Sequence, residues 1–269
     1  MNKQEEIESL QIQLLHGDCL ELMKNIPDGS IDLILTDPPY QVTSCKWDVK
    51  VPFEPMWEQI NKIIKPNGAI ILFGNEPFSS ALRMSNIKHY KYDWKYKKRI
   101  ASNFATVKCQ PMKHIEDIMV FSKKGKKINY YPIKQPRAES GKKRIQAKYK
   151  NNSKKGGDFL GKIKRNVVQQ TYNENLKFPE NILEFNNRAK GDRGFHPTQK
   201  PVALGQYLIK TYTNKGGTVL DFTAGSGSFG VAAIKEGRNF IGIEKEEKYF
   251  DIMKERIDKA KKEEMSKLF

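Results

Sequence analysis

The chain has 269 residues and a formal net charge of +17, with 48 Lys and Arg against 31 Asp and Glu. This length suffices for one α/β domain with a smaller insert, and the basic excess predicts a polyanionic partner, nucleic acid in preference to a membrane surface. Three cysteines without metal-ligand spacing, a polar chain start and no run of roughly 20 apolar residues predict a cytoplasmic protein without a metal site, disulfide or membrane span.

Apolar runs and helical patterns alternate along the first part of the chain. Ile12–Leu15 and Ile31–Thr36 are predicted to be buried strands, with a short helix at Leu20–Ile26 between them. The spacing of apolar residues in Glu54–Lys65 predicts a longer helix, which a Pro-Asn-Gly turn closes. Further strands are predicted at Ala69–Phe73, Tyr90–Ile100 and Asp117–Ser122.

Residues 123–165 contain nearly all of the excess charge. Sixteen Lys and Arg stand there against two acids, a local net charge of +14. The segment is poor in aliphatic residues and rich in Asn, Gly, Ser and Lys, a composition typical of a mobile, solvated insert. We therefore expect two ordered parts, 1–122 and 177–269, separated by a basic insert at 123–176.

The second ordered part continues the alternation. A helix is expected after Pro201, a strand at Thr218–Asp221, a helix from Ser228, a strand at Phe240–Ile243 and a helix at the C-terminus. This β-α-β pattern predicts an α/β fold with a mostly parallel sheet and helices on both faces. Ligands of such sheets bind at the carboxyl edge of the strands.

A glycine-rich turn follows the predicted strand Thr218–Asp221. Its glycines let the backbone approach a bound nucleotide closely. Glu244 ends the next strand 19 positions after Gly225, close to the spacing of about 20 residues at which a carboxylate binds ribose hydroxyls. Such a turn also occurs as plain structure, and Glu244 also begins a charged surface stretch. Together the two features predict an adenosyl ligand, bound by Glu244 and by the turn residues Asp221, Phe222, Thr223, Ala224, Gly225, Ser226 and Gly227.

The strand Ile31–Thr36 ends at Asp37-Pro38-Pro39-Tyr40. Two prolines fix the backbone and donate no hydrogen bond, so Asp37 and the neighbouring carbonyl form an acceptor-rich corner. An exocyclic amino group needs two acceptors, and its ring stacks on an aromatic side chain such as Tyr40. The corner therefore favours chemistry on the amino group of a nucleobase, although Pro-Pro turns with a flanking acid also occur as ordinary caps.

These motifs resemble those of the DNA amino-methyltransferases, in which Asp-Pro-Pro-Tyr is the catalytic motif and Phe-x-Gly-x-Gly binds the cofactor. Thr223 stands where that family has its Phe, and Phe222 lies one place earlier. The segment His196-Pro197-Thr198-Gln199-Lys200-Pro201 is similar to a third family motif, which implies that Thr198 and Lys200 meet the carboxylate of the methionine moiety. The order of catalytic motif, basic segment and cofactor motif is similar to that of the β class.

The resemblance implies a Rossmann-like, seven-stranded methyltransferase fold with S-adenosyl-L-methionine as cofactor. It assigns catalysis to Asp37-Pro38-Pro39-Tyr40, and it adds Asp37 and Asp18, at an acidic position near the cofactor adenine, to the cofactor site. The catalytic half is then 1–122, the target-recognition insert 123–176 and the cofactor-binding half 177–269. The implied substrate is double-stranded DNA, with N6 of a flipped-out adenine as the favoured target. A homodimer and a partnered restriction enzyme are further expectations.

Other functions are compatible with the same motifs. N4 methylation of cytosine and N6 methylation of RNA use similar chemistry, and a non-catalytic DNA-binding module would keep the same scaffold. A cytosine-C5 methyltransferase is set aside, because its thiolate nucleophile usually stands in a Pro-Cys turn and none of the three cysteines follows a proline.

Some residues outside the motifs also carry expectations. Trp47 and Phe53 are predicted either to line the loop over the base or to pack in the core. His114 and His196 are expected to brace the chain locally rather than to act as metal ligands or bases. A few residues in or just after the basic segment are predicted to contact the base edges and so to read the DNA sequence. The proposed residues are Arg137, Arg144, Arg165 and Gln169.

Overall fold

A computed structural model describes residues 3–40, 51–104, 107–123, 125–143, 175–187 and 194–267. The chain divides into two compact units, one of 1–131 with 181–269 and one of 132–180. The second unit begins and ends later than the insert 123–176 expected from composition. Trp47 and three of the proposed base-reading residues lie outside the described residues, namely Arg144, Arg165 and Gln169.

Ten strands are found in the described part of the chain. They are β1 (Ile12–His16), β2 (Ile31–Thr36), β3 (Ile64–Gly74), β4 (Tyr90–Ser102), β5 (Lys113–Ser122), β6 (Gln135–Pro136), β7 (Leu176–Lys177), β8 (Ile182–Phe185), β9 (Thr218–Asp221) and β10 (Asn239–Glu244). Eight of them form one sheet in the order β1-β10-β9-β2-β3-β5-β4-β8. All neighbours in it are parallel except β3–β5 and β5–β4.

The mostly parallel α/β sheet predicted from the sequence is confirmed, but it has eight strands rather than seven. The additional strand is β8, which pairs with β4 through Lys95↔Ile182 and Lys98↔Phe185. β8 has four residues, and an apolar pattern of that length is too short to distinguish a strand from a loop in the sequence.

Seven helices are described in the first unit: α1 (Lys3–Glu8), α2 (Cys19–Met23), α3 (Phe53–Ile63), α4 (Phe78–Ser85), α5 (Val202–Tyr212), α6 (Ser228–Lys235) and α7 (Glu247–Ser266). The sequence predicted all but α1 and α4. None of the described helices is long and apolar enough to cross a membrane.

The helices cover both faces of the sheet. Leu33 and Leu35 of β2 point into a core cluster that contains residues of α5, α6 and α7. Ile34, between them, points into a second cluster with residues of α2, α3 and α4. Because successive side chains of a strand point to opposite faces, these two clusters form the two layers of the core.

The register of the central strands determines which loops meet at the carboxyl edge of the sheet. β2 pairs with β9 through Leu33↔Val219 and Ile34↔Leu220, so the carboxyl ends of the two strands lie side by side. β10 and β1 follow on the far side of β9 with the same direction. The loops after β1, β2, β9 and β10 therefore meet at one edge, although they come from opposite ends of the chain.

The second unit contains the antiparallel pair β6–β7, in which Gln135 faces Lys177. Arg137, one of the proposed base-reading residues, donates from its guanidinium to the carbonyl oxygen of Leu176 at 2.9 Å. The backbone N–H of Arg137 donates to the carbonyl of Asn175 at 2.8 Å. In this structure Arg137 therefore ties together the two segments that flank residues 144–174.

Candidate active site

A cavity of about 300 Å³ opens at the carboxyl edge of the sheet. It brings together the motifs that lie far apart in the sequence. Gly227 is the one predicted site residue that does not line it. The predicted residues that do are Asp18, Asp37, Pro38, Pro39, Tyr40, Thr198, Lys200, Asp221, Phe222, Thr223, Ala224, Gly225, Ser226 and Glu244.

Asp37 lies directly after β2, where the strand leaves the sheet. Its carboxylate accepts a hydrogen bond from the Tyr40 hydroxyl and forms an ion pair with the ammonium of Lys200. Burial raises the pKa of Asp37, an effect that the positive charge of Lys200 opposes. The main-chain carbonyl of Asp37 lies 3.3 Å from the Thr223 hydroxyl of the neighbouring loop. The catalytic motif and the glycine turn are thus in direct contact.

The pair Asp37–Lys200 is one end of a buried chain of alternating charges. Lys200 Nζ also lies 3.4 Å from a carboxylate oxygen of Glu116, and Lys98 Nζ lies 3.0 Å from the other oxygen. Burial alone would raise the pKa of Glu116, but the charges of Lys200 and Lys98 outweigh it and hold that pKa below its ordinary value. Asp37 and Glu116 in turn raise the pKa of Lys200 against the opposing effect of burial.

Glu116 and Lys98 were not predicted from the sequence as site residues. Both lie within strands, β5 and β4, where charged residues ordinarily face solvent; Lys97 and Arg99 beside Lys98 are exposed, whereas Asp117 beside Glu116 is buried. Alternation along β4 is the one signal that marks Lys98, because it shares a face with buried Trp94 and Tyr96. Nothing in the sequence indicates that Glu116 lies opposite Lys200.

The glycine turn is tied to the next strand through Glu244. One oxygen of this carboxylate accepts the N–H of Gly225 at 2.7 Å, and the other accepts the N–H of Glu246 at 2.8 Å. Gly225 has a φ of 52° and Gly227 a φ of 75°, values that favour glycine. A Cβ on Gly227 would lie 2.7 Å from Cγ of Met253, so this glycine serves close packing of α6 against α7 rather than the cavity.

Asp221 ends β9 beside the catalytic corner. Its carboxylate accepts a hydrogen bond of 2.6 Å from the hydroxyl of Thr36, which lies 2.7 Å from the hydroxyl of Thr223. Burial raises the pKa of Asp221 to about 7. Phe222 lines the cavity but is almost completely buried in the second core cluster. The position that is aromatic in the family motif therefore carries a hydroxyl that bonds to the catalytic loop.

Residues 31–255 match the family model of the N6/N4 DNA methylases. The chain belongs to this family. DNA adenine methyltransferase YhdJ of Escherichia coli is 28% identical over 263 residues, covering 92% of this chain and 83% of its own length. Type II methyltransferase M.HpaI of Haemophilus parainfluenzae is 26% identical over 262 residues, covering 91% of this chain and 74% of its own.

Solved structures show the same fold for this DNA methylase. The M1.HpyAVI–SAM complex has a TM-score of 0.62 at 24% identity, over 92% of this chain and all of its own. The cytosine-N4-specific PvuII DNA methyltransferase has a TM-score of 0.62 at 16% identity, over 95% of this chain and 93% of its own. The fold of the methylase is thus the Rossmann-like methyltransferase fold.

Thr198 and Lys200 of the third motif of the methylase line the cavity and also bind neighbouring protein groups. Lys200 binds Asp37 and Glu116, and its ammonium lies 5.3 Å from the ring centroid of Phe73. The Thr198 hydroxyl lies 3.1 Å from Nδ1 of His196. Burial lowers the pKa of His196 to about 4, with the charge of Lys200 contributing, so this imidazole is neutral at neutral pH.

Aromatic rings support the catalytic corner of the methylase from one side. Tyr40 packs on Phe78 with the ring centroids 4.8 Å apart, and Phe53 lies 5.8 Å from the same Phe78 ring. Phe53 packs against the second core cluster, which agrees with the core role among its two predicted roles. His114 Nδ1 lies 3.2 Å from the carbonyl oxygen of Lys98, within the β4–β5 pair.

The loop after β1 adds Asp18 and Cys19 to the cavity wall. Asp18 accepts the N–H of Leu20 at 3.0 Å at the start of α2 and lies 3.3 Å from the ammonium of Lys245. Burial, with the charge of Asp18, raises the pKa of Cys19 to about 12, so its sulfur is a neutral thiol. Among the described residues, no group of three or more His, Cys, Asp or Glu is arranged to hold a metal ion.

Proposed function

We propose that this DNA methylase transfers the methyl group of S-adenosyl-L-methionine to N6 of an adenine flipped out of double-stranded DNA. One observation carries the proposal: the half-buried Asp37-Pro38-Pro39-Tyr40 corner and the Gly225–Glu244 contact face one cavity. An acceptor for an amino group and a site for an adenosyl ligand therefore lie within reach of each other.

The residues around the glycine turn fit this cofactor. Each oxygen of Glu244 accepts one backbone N–H and keeps a further lone pair for a ribose hydroxyl. Glu244 places a carboxylate on the wall, whereas Asp18 is paired with Lys245, and Lys200 is neutralised by its two acidic partners. The wall at Glu244 thus suits a ligand that carries hydroxyl groups and a positive charge. S-adenosyl-L-methionine supplies an electrophilic methyl group on a sulfonium centre.

The catalytic corner prepares the amino group of the base. Its nitrogen is a weak nucleophile because the lone pair is delocalised into the ring. Acceptance of its two N–H bonds by Asp37 and by the adjacent main-chain carbonyl favours a localised lone pair directed at the methyl group. The departing proton passes to the carboxylate of Asp37, whose pKa burial raises.

Tyr40 supplies the flat surface for the base. Flipping a base out of the duplex costs a few kcal/mol, and stacking on an aromatic side chain returns about 1–3 kcal/mol. The ring lines the cavity and is fixed from behind by Phe78. Its hydroxyl donates to Asp37, so the same side chain orients the acceptor.

Methylation of cytosine N4 is the second candidate, because the same corner can accept its amino protons. PvuII methyltransferase, specific for that atom, has the same fold. Adenine is favoured because Asp37 makes the motif Asp-Pro-Pro-Tyr, for which the resemblance implies N6 of adenine as the target. The cytoplasmic location, the homodimer, the partnered restriction enzyme and DNA binding by the basic segment 123–165 stay predictions from the sequence.

The test is product analysis. Purified protein, cofactor and mixed-sequence duplex DNA are incubated, and the DNA is digested to nucleosides for mass spectrometry. N6-methyladenine is expected, and Asp37→Ala is expected to abolish it while DNA affinity is largely retained. N4-methylcytosine as the sole product overturns the adenine assignment, and methylation of RNA alone overturns the DNA substrate. Cofactor binding without transfer to any nucleic acid would establish a binding module instead.

A further inference from the structure

Strands β4 and β5 continue beyond the end of the sheet at the edge that carries Asp37. β3 ends at Gly74, which pairs with Asp117 of β5. Beyond that pair, β5 extends to Lys113 and β4 to Ser102, and Ser102 pairs with Lys113. The two strands form a hairpin that projects past the catalytic corner. Lys113 lies three residues beyond Glu116, a reach of about 10 Å at 3.3 Å per residue.

The base of this hairpin is fastened to the catalytic corner. Lys98 of β4 and Glu116 of β5 form the buried ion pair that leads through Lys200 to Asp37. Asn187 binds the outer edge of β4: its side-chain oxygen accepts the N–H of Ile100 at 3.2 Å and its amide donates to the carbonyl at 3.1 Å. The hairpin is therefore held in a fixed direction relative to Asp37.

The far end of the hairpin exposes apolar side chains. Phe104 is 57% exposed, Val107 50% and Met112 44%, and every residue from Val107 to Ile115 is exposed. Exposed apolar groups that cluster in this way mark interaction sites. From Lys97 to Ile115 the sequence contains five Lys and Arg and no Asp or Glu. Lys97 and Lys98 form ion pairs with Glu184 and Glu116, so the positive charge directed at a partner is that of the other three, Arg99, Lys108 and Lys113. Cations along the sides suit the phosphates of nucleic acid, and apolar side chains at the tip suit its stacked bases.

We propose that the β4–β5 hairpin inserts its tip into duplex DNA beside the target base. Phe104 and Met112 enter the base stack, and Arg99, Lys108 and Lys113, all exposed, bind the flanking phosphates. A flipped base leaves a gap in the stack, and an apolar wedge that fills the gap stabilises the open duplex. The inference rests on the proposed function, because it requires a DNA target that is flipped out.

Cys109 provides a direct test, since it is an exposed free thiol on the tip. N-ethylmaleimide labelling of the whole protein is followed by mass spectrometry of peptides, with the same reaction on the urea-unfolded protein as the reference for full labelling of Cys109. The probe is a duplex that contains the recognition sequence identified by sequencing methylated DNA. At ten times its Kd, the duplex is expected to slow labelling of Cys109 about tenfold. Unchanged labelling overturns the proposal. Protection that rises with protein concentration without DNA shows instead that the tip contacts a second copy.

Variants test the wedge itself. Phe104→Ala combined with Met112→Ala is expected to raise KM for the duplex about tenfold and to leave cofactor affinity unchanged. Met84→Ala is the matched control, because Met84 is 69% exposed on α4. A duplex with an abasic site opposite the target base should rescue the double variant, since that base is already unpaired. The wedge proposal is overturned if the double variant has wild-type kinetics. It is also overturned if KM rises equally on the intact duplex and on the duplex with the abasic site.

The cations are tested by salt dependence. Lys108→Gln with Lys113→Gln should flatten the plot of log affinity against log salt by about 0.9 for each lost phosphate contact. Lys259→Gln with Lys262→Gln, exposed on α7, is the control and should leave the slope unchanged. An unchanged slope in the hairpin variant removes these cations from the interface. Methyl transfer by the wild-type protein in the same assays tests the proposed function on its own. Failure of the hairpin proposal can therefore be distinguished from failure of the proposed function.

Discussion

Replacement of Glu116 by Gln tests whether the buried charge chain sets the state of the catalytic carboxylate. The substitution keeps the shape of the side chain and removes one negative charge from a group whose side chain is 12% exposed. Lys200 then keeps Asp37 as its carboxylate partner, whereas Lys98, among its described contacts, keeps the hydroxyl of Ser102; both lysine side chains are 8% exposed. Removing one partner of a buried pair costs about 3–5 kcal/mol, so we expect a loss of unfolding free energy on that scale.

The effect on chemistry has a predicted sign. The charge of Glu116 raises the pKa of Asp37, and Glu116 competes with Asp37 for Lys200. In Glu116→Gln the pKa of Asp37 therefore falls, and the acid limb of kcat moves to lower pH. Lys200 also binds Asp37 more strongly, which makes the carboxylate a poorer acceptor and lowers kcat, whereas KM for the cofactor changes little.

Steady-state kinetics from pH 5 to 9 and urea unfolding measure the two effects. Glu184→Gln is the matched control, since Glu184 forms an exposed pair with Lys97 and such pairs contribute about 0–1 kcal/mol. Glu116→Asp keeps the charge and should restore part of kcat. A destabilised Glu116→Gln protein with the wild-type pH profile would show that the residue has a structural role alone.

Three further changes test the site. Tyr40→Phe keeps the ring and loses the bond to Asp37, so a fall in kcat of about tenfold is expected, with a larger fall in Tyr40→Ala; equal falls would contradict the stacking role. Glu244→Ala should weaken cofactor binding at least about tenfold in titration calorimetry, and unchanged affinity would return Glu244 to a purely structural role. Burial raises the pKa of Asp221 from 3.8 to about 7, so the unfolding free energy of the wild type should fall as pH rises through this window. Asp221→Asn should lack that fall in thermal unfolding of the cofactor-free protein, and parallel pH curves would refute the assignment.

The sequence predicted best those elements whose pattern is local. β2 is rich in aliphatic residues and is followed by Asp37, and β9 ends at Asp221, so both strands and their ends were located from composition and spacing. The resemblance of the three motifs then predicted one shared site, and the structure brings them to one cavity. The family and the fold class are confirmed.

Features that depend on distant contacts could not be predicted in this way. The contact of Lys200 with Glu116 is fixed by the register of β5 against β3, which no local pattern shows, so Glu116 was not predicted from the sequence. α4 was missed because its apolar positions, Phe78 and Leu82, are too few for a recognisable period. Packing of Gly227 against Met253 likewise depends on how two helices meet.

The sheet order has a consequence for synthesis of the chain on the ribosome. Among the described strands, β1 is made before the others and has β10 as its neighbour, and β2 has to wait for β9 to cover its second edge. More than 180 residues separate Leu33 from its partner Val219. Until the last quarter of the chain has been made, two hydrophobic strand edges are open to wrong pairing. A polypeptide that stops before β9 lacks the glycine turn and Glu244 and exposes strand edges that favour aggregation.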